Sequence, residues 1–167
     1  MRVATAVLIL AAGVCGAVAQ EGAVIEGAAT MVDADIVTIG EARIILFGVD
    51  APEKRQKCTD ADQQPWNCYE TARREMELLV EAGPWTCMQH GEADRFKSVY
   101  AVCEVDGTNV NSQLVRQGLA VAYIEQSDLF EADQDAAKGE KVGLWQEGVT
   151  FDDPWVFRGA QSLGGFR

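Results

Sequence analysis

The sequence predicts an α+β domain in which strands dominate, and three observations carry that prediction. Short runs rich in Val and Ile, residues 36–39 and 44–49, flank the turn-like Gly40-Glu41-Ala42, a pattern of adjacent antiparallel strands. Between residues 65 and 82 the period changes: Tyr69, Ala72, Met76, Leu79 and Val80 recur at helical spacing with charges between them. Strand-like runs then return at 85–89 and 99–105 before two further helical segments.

Each element follows from its residues. GAVIEGAATMV, residues 22–32, mixes small and β-branched residues with turn-prone glycines and forms the first of three consecutive strands. The first helix stops at Gly83-Pro84. Asp106-Gly107 ends the fifth strand. NVNSQLVRQG reads as a short helix, with Asn109 or Asn111 as its cap and Gly118 at its end. Residues 130–141, rich in Ala, Asp and Lys, form another helix. Residues 143–167, with GLW, DDPW and a Gly-rich end, read as an irregular tail. The order is three strands, helix, two strands, two helices, without internal repeats.

The chain has 167 residues and is 48% hydrophobic, enough for one domain with a proper core. Residues 1–19 stand apart from that core. Arg2 is a short positive region, residues 3–14 are apolar, and Ala17-Val18-Ala19 has the small-x-small form of a cleavage site. They read as a secretory signal peptide. The domain is expected over 20–158, with a flexible C-terminal tail at 159–167. The apolar stretch is short for a membrane span, so no stable membrane insertion is expected after cleavage, and the mature protein is placed in the periplasm or outside the cell.

Cleavage removes one Arg and no acid, taking the net charge from −12 to −13. Nucleic-acid binding rests on Lys and Arg releasing counterions, so this charge disfavours a nucleic-acid partner unless a local patch or a bound cation reverses the sign. Four cysteines remain: Cys58, Cys68, Cys87 and Cys103. In an exported chain they read as two disulfides with three possible connectivities. Cys58 and Cys68 bracket a polar loop, and Cys87 and Cys103 lie in two strands that can be hairpin neighbours, so 58–68 and 87–103 is preferred. A four-cysteine zinc site is the rival, but no CxxC pair exists.

The motifs MVDADIVTIG (31–40), RIILFGVDAPE (43–53), W-N-C (66–68), ADRF (93–96), AVC (101–103), VNSQLVRQGLAVAY (110–123) and GLW (143–145) together resemble the staphylococcal-nuclease-like, or thermonuclease, family. The ordered set runs from about residue 23 to residue 158. The resemblance implies a five-stranded OB-type barrel with three helices. Barrels of this type take nucleic acid, sugars or peptides, so the fold alone does not fix function.

The resemblance also implies a site. Active members hold a calcium ion between two aspartates and the scissile phosphate, use a glutamate to help water attack, and hold the phosphate with two arginines. Carried over, the aspartates fall on Asp35 and Asp50, oxygen ligands of the kind calcium takes. Ala51 stands where a backbone carbonyl reaches the metal, and the glutamate falls on Glu53. The first arginine, five residues before the second aspartate, falls on Ile45. The second, closing the pattern D-R-Y-G-R, falls on Ser98, and the glycine before it on Lys97. Arg43 is a possible substitute, on the same strand face as Ile45 but about 7 Å away. The expectation is an exported protein with impaired or absent nuclease activity, a pseudoenzyme serving as a binding or structural module with an unknown protein or carbohydrate partner. The alternative is an active calcium-dependent phosphodiesterase cutting DNA or RNA with Glu53 as general base.

His90, the only histidine, precedes Gly91 and reads as a surface turn. Trp66, Trp85, Trp145 and Trp155 read as core or tail anchors.

Overall fold

A computed structural model of the chain describes residues 22–164. The signal peptide expected at 1–19 therefore lies outside the described residues. The chain opens with three antiparallel strands, β1 (Val24–Asp33), β2 (Ile36–Ile39) and β3 (Ala42–Leu46). Alternation along β2 and β3 sends Val37, Ile39, Ile44 and Leu46 into the core. Three short pieces follow: β4 (Val49–Asp50), β5 (Cys58–Thr59) and β6 (Pro65–Trp66).

Helix α1 (Cys68–Glu81) is capped by the Asn67 side chain, which accepts from the Glu70 N–H. It buries Tyr69, Ala72, Met76 and Leu79, the stripe read from the sequence. Strands β7 (Pro84–Gln89) and β8 (Val99–Val105) form a hairpin, with β7 paired to β1. Then β8 runs parallel to β3, Ile44–Leu46 against Val99–Ala101, and this pairing closes a five-stranded mixed barrel. The expected OB-type barrel is present.

The remaining elements lie around the closure: β9 (Thr108–Asn109), α2 (Val110–Arg116), β10 (Val121–Ala122), α3 (Glu131–Glu140), a 3₁₀ turn (Gly143–Trp145) and α4 (Pro154–Gly164). Asn109 caps α2 by accepting from the Ser112 N–H at 2.9 Å. Buried Asn111 pins the barrel seam: its Nδ2 donates to the carbonyls of Phe47 (2.9 Å) and Ala101 (3.2 Å), and its Oδ1 accepts from the Cys103 N–H (3.0 Å).

The carboxy-terminal segment differs from expectation. The tail expected to be irregular over 143–167, and flexible over 159–167, carries α4 through Gly164, so the described part of the chain has four α-helices rather than three. Its apolar residues explain this: Trp155 packs with Trp66, Trp145 and Phe151 on a second small core built on Cys58, Cys68, Val121 and Leu144. The four cysteines pair as 58–68 and 87–103. Cys87 and Cys103 lie directly opposite each other in the β7–β8 ladder, their Cα atoms 4.0 Å apart. No helix among the described residues is long and apolar enough to cross a membrane.

Candidate active site

The acidic residues converge where β1, β3 and β4 end. Asp33-Ala34-Asp35 makes the tight β1–β2 turn, and the Asp33 carboxylate accepts from the Ala34 N–H (2.9 Å). The Leu46 N–H donates to the Asp35 carbonyl (3.0 Å), fixing that turn against the end of β3. Gly48 then turns the chain at φ +73°, where a Cβ would stand 3.1 Å from the Phe130 ring. β4 follows and pairs Asp50 with Val121 of β10. The Ala51 N–H donates to Asp35 Oδ2 at 3.1 Å, bringing the two acidic segments into contact. Glu53 is held by its own backbone, whose N–H donates to the side-chain oxygen of buried Gln56 (3.1 Å).

Asp35, Asp50, Ala51 and Glu53 line one cavity of about 350 Å³, with Tyr100 and Tyr123 also on its wall. The structure therefore brings together four of the five site residues that the sequence reading selected. Ile45, the position expected from the resemblance to carry the first arginine, puts an apolar side chain on the wall of the same cavity. Ser98 is buried immediately before β8. The loop before it is closed by Asp94, whose carboxylate accepts from the N–H groups of Phe96 and Ser98 at 2.8 Å each. Lys97 adopts φ +64° there, a conformation that favours the glycine of the family pattern. Arg43 is exposed and does not line the cavity.

The guanidinium at the site comes from Arg158 on α4. It forks onto Asp50, Nη1 donating to Oδ1 at 2.7 Å and Nη2 to Oδ2 at 2.8 Å, and Nη1 also donates to Glu53 Oε1 at 2.5 Å. This is the planar bidentate geometry that arginine alone supplies. The sequence reading missed it because the contact spans 108 residues. The only signal was DDPW, in which Pro154 opens a helix. α4 is aimed by the Trp155 ring, 5.0 Å from that of Tyr123, and by Gln56, whose amide donates to the Asp152 carbonyl at 2.6 Å.

The electrostatics follow from burial and this one cation. Burial pushes Asp35 up to about 7, and the neighbouring Asp50 charge adds to that rise while the Ala51 N–H opposes it. Burial likewise raises Asp50, with Arg158 pulling against it. Burial disfavours the Arg158 charge, but the hydrogen bonds to Asp50 and Glu53 outweigh it and hold the guanidinium charged.

Asp35, Asp50 and the Ala51 carbonyl are oxygen donors suited to calcium. As arranged here they do not fit a bound cation, because both Asp50 oxygens are taken by Arg158. Among the described residues no group of three or more His, Cys, Asp or Glu side chains is placed to hold a metal ion.

Residues 43–147 match the family described as staphylococcal nuclease homologue. The chain belongs to that family. Its members are generally calcium-dependent. The chain is 29% identical over 122 residues to a succinoglycan biosynthesis protein of Rhizobium meliloti, covering 72% of this chain and 64% of that protein. It is 28% identical over 135 residues to an uncharacterized endonuclease of Escherichia coli, 77% of this chain and 80% of the relative. A prophage-derived endonuclease of Bacillus subtilis is 27% identical over 116 residues, 65% of this chain and 38% of that protein.

Proposed function

We propose that this family member is exported, keeps the acidic half of a phosphodiesterase site, and hydrolyses phosphodiesters slowly or not at all, its barrel serving as a binding module. One observation carries the reading. The cavity offers Ile45 where the family resemblance calls for a phosphate-holding arginine, while the cation it does contain, Arg158, is committed to Asp50 and Glu53. Loss of one charge-stabilising donor costs about 10²–10³ in rate, and arginines acting on phosphoryl transition states are worth about 10³–10⁵. Ile45 donates no hydrogen bond, and Ser98 offers one without a charge.

Relatives named as endonucleases make nucleic acid the substrate class to test. Export is supported by the two disulfides, which persist in oxidising compartments, and by the amino-terminal sequence pattern. The test is hydrolysis of single-stranded DNA with calcium and then with chelator, for the wild type and Glu53→Gln. The expected result is negligible cutting by both. Robust calcium-dependent cutting that disappears in Glu53→Gln overturns the proposal.

A calcium-dependent phosphodiesterase with Glu53 as base is the second reading. The observation favouring it is Arg158 itself, a guanidinium already in the cavity beside Glu53. On that reading Arg158→Ala abolishes hydrolysis. On the first it leaves a negligible rate negligible.

A further inference from the structure

A second cavity of about 360 Å³ adjoins the acidic one and shares Glu53 and Arg158 with it. Its other walls include Lys54, Arg55, Gln161 and Ser162. We propose that Lys54, Arg55 and Arg158 form a phosphate-binding subsite at the mouth of the acidic cavity.

Four observations support this subsite. First, the two cations are displayed by a fixed turn. The Gln56 N–H donates to the Glu53 carbonyl at 2.7 Å, so Lys54 and Arg55 occupy the two central positions of that turn. Second, the turn is tied to the opposite wall. Gln56 is 1% exposed, and its amide bonds the Asp152 carbonyl just before α4, so the Lys54–Arg55 turn and the helix carrying Arg158 are held together. Third, the cations are free. Among the described residues Lys54 and Arg55 make no ion pair, whereas Arg73, Arg116, Lys138 and Lys141 do. Both are exposed, as is neighbouring Lys57. Fourth, Arg158 uses three of its five N–H groups on Asp50 and Glu53. Two remain on a side chain that is 46% exposed.

The chemistry selects an anion with several acceptor oxygens. Cations on two facing walls suit a tetrahedral phosphate better than a single carboxylate. In a chain of net charge −12, Lys54, Arg55 and Lys57 put three cations within four residues. Because Glu53 lines both cavities, a phosphate seated here lies beside the residue that the family resemblance makes the base. The choice of a phosphodiester over another anion rests on the proposed function above.

The test is binding of a labelled short thymidine oligonucleotide in chelator, read by anisotropy across a salt series, with inorganic phosphate as competitor. Compared are the wild type, Lys54→Gln/Arg55→Gln, and a control, Arg74→Gln/Lys138→Gln, that removes the same charge elsewhere. Lys54 and Arg55 are exposed and unpaired, so their replacement leaves the fold intact. The expected loss in the first double variant is about tenfold or more. The slope of log affinity against log salt falls by roughly 0.7, the value for one single-strand phosphate contact. The control keeps the wild-type values. Displacement by inorganic phosphate at concentrations close to those of the oligonucleotide marks an isolated phosphate as the ligand. A much tighter oligonucleotide marks a strand, and either supports the subsite. The subsite is overturned by unchanged binding in Lys54→Gln/Arg55→Gln, by an equal loss in the control, or by no binding to the wild type. Rapid wild-type hydrolysis with loss of binding in the double variant sinks the slow-hydrolysis reading and leaves the subsite. Negligible hydrolysis with unchanged binding does the reverse.

Discussion

Replacing Arg158 with Ala removes the one cation that the described residues place in a cavity holding Asp35, Asp50 and Glu53. The Asp50 side chain is 6% exposed and Glu53 28%, so both lose their partner while still largely desolvated. Breaking a fully buried pair costs about 3–5 kcal/mol, and exposed pairs are worth about 0–1 kcal/mol. Arg158 is nearly half exposed, so solvent screening discounts the buried figure to about 1–3 kcal/mol. For a chain of this size, 2 kcal/mol lowers Tm by about 4–8 °C. Thermal melts at low salt with chelator read this directly, and Arg158→Lys, which keeps the charge but loses the fork, should fall between. Calcium supplies a second readout. If the guanidinium competes for Asp50, calcium raises the Tm of Arg158→Ala more than that of the wild type. An unchanged Tm in chelator, together with equal calcium shifts, refutes the view that Arg158 neutralises this site.

Asp35 makes the stability of the fold depend on pH. Its folded value, about 7, lies above the unfolded 3.8, so ionising it costs stability. Its contribution is intact below 3.8 and is lost as pH rises through about 7, so Asp35→Asn should flatten the Tm profile over that window and melt above the wild type at higher pH. Asn111→Ala removes three hydrogen bonds at the barrel seam and leaves the buried Cys103 N–H unpaired, while the Ala101 carbonyl keeps the Phe47 N–H, a loss of about 2–4 kcal/mol by urea denaturation. Removing the Cys58–Cys68 bridge with a double Ala variant should cost about 2–3 kcal/mol by the same assay, from the entropy of its short loop.

The parts of the fold legible in the sequence are those whose signals are local. The Val- and Ile-rich runs at 36–39 and 44–49, the stripe from Tyr69 to Leu79 and the cap at Asn109 act within a few residues of themselves, and the structure uses each of them. The acidic cluster was legible because family order placed Asp35, Asp50 and Glu53 together. The helix at 154–164 was not. Its Gly-rich end argues against order, and the residues that hold it, Trp155 against Tyr123 and Gln56 against Asp152, are distant in sequence. Arg158 was invisible for the same reason. Arg43 drew attention because it shares a strand face with Ile45, yet that face leads it to solvent.

The reach of Arg158 across 108 residues also makes the cavity a check on the integrity of the polypeptide. The carboxylates themselves, and the β10 strand that pairs with Asp50, are all in place by Ala122, but the balancing charge arrives only with α4. A molecule that loses α4 after a cut in the exposed stretch around Gln146–Glu147 can keep every strand of its closed barrel while its carboxylates stand without their cation, open to any divalent ion in the medium. Proteolysis at that point would thus change the ion-binding character of the surface without dismantling the scaffold.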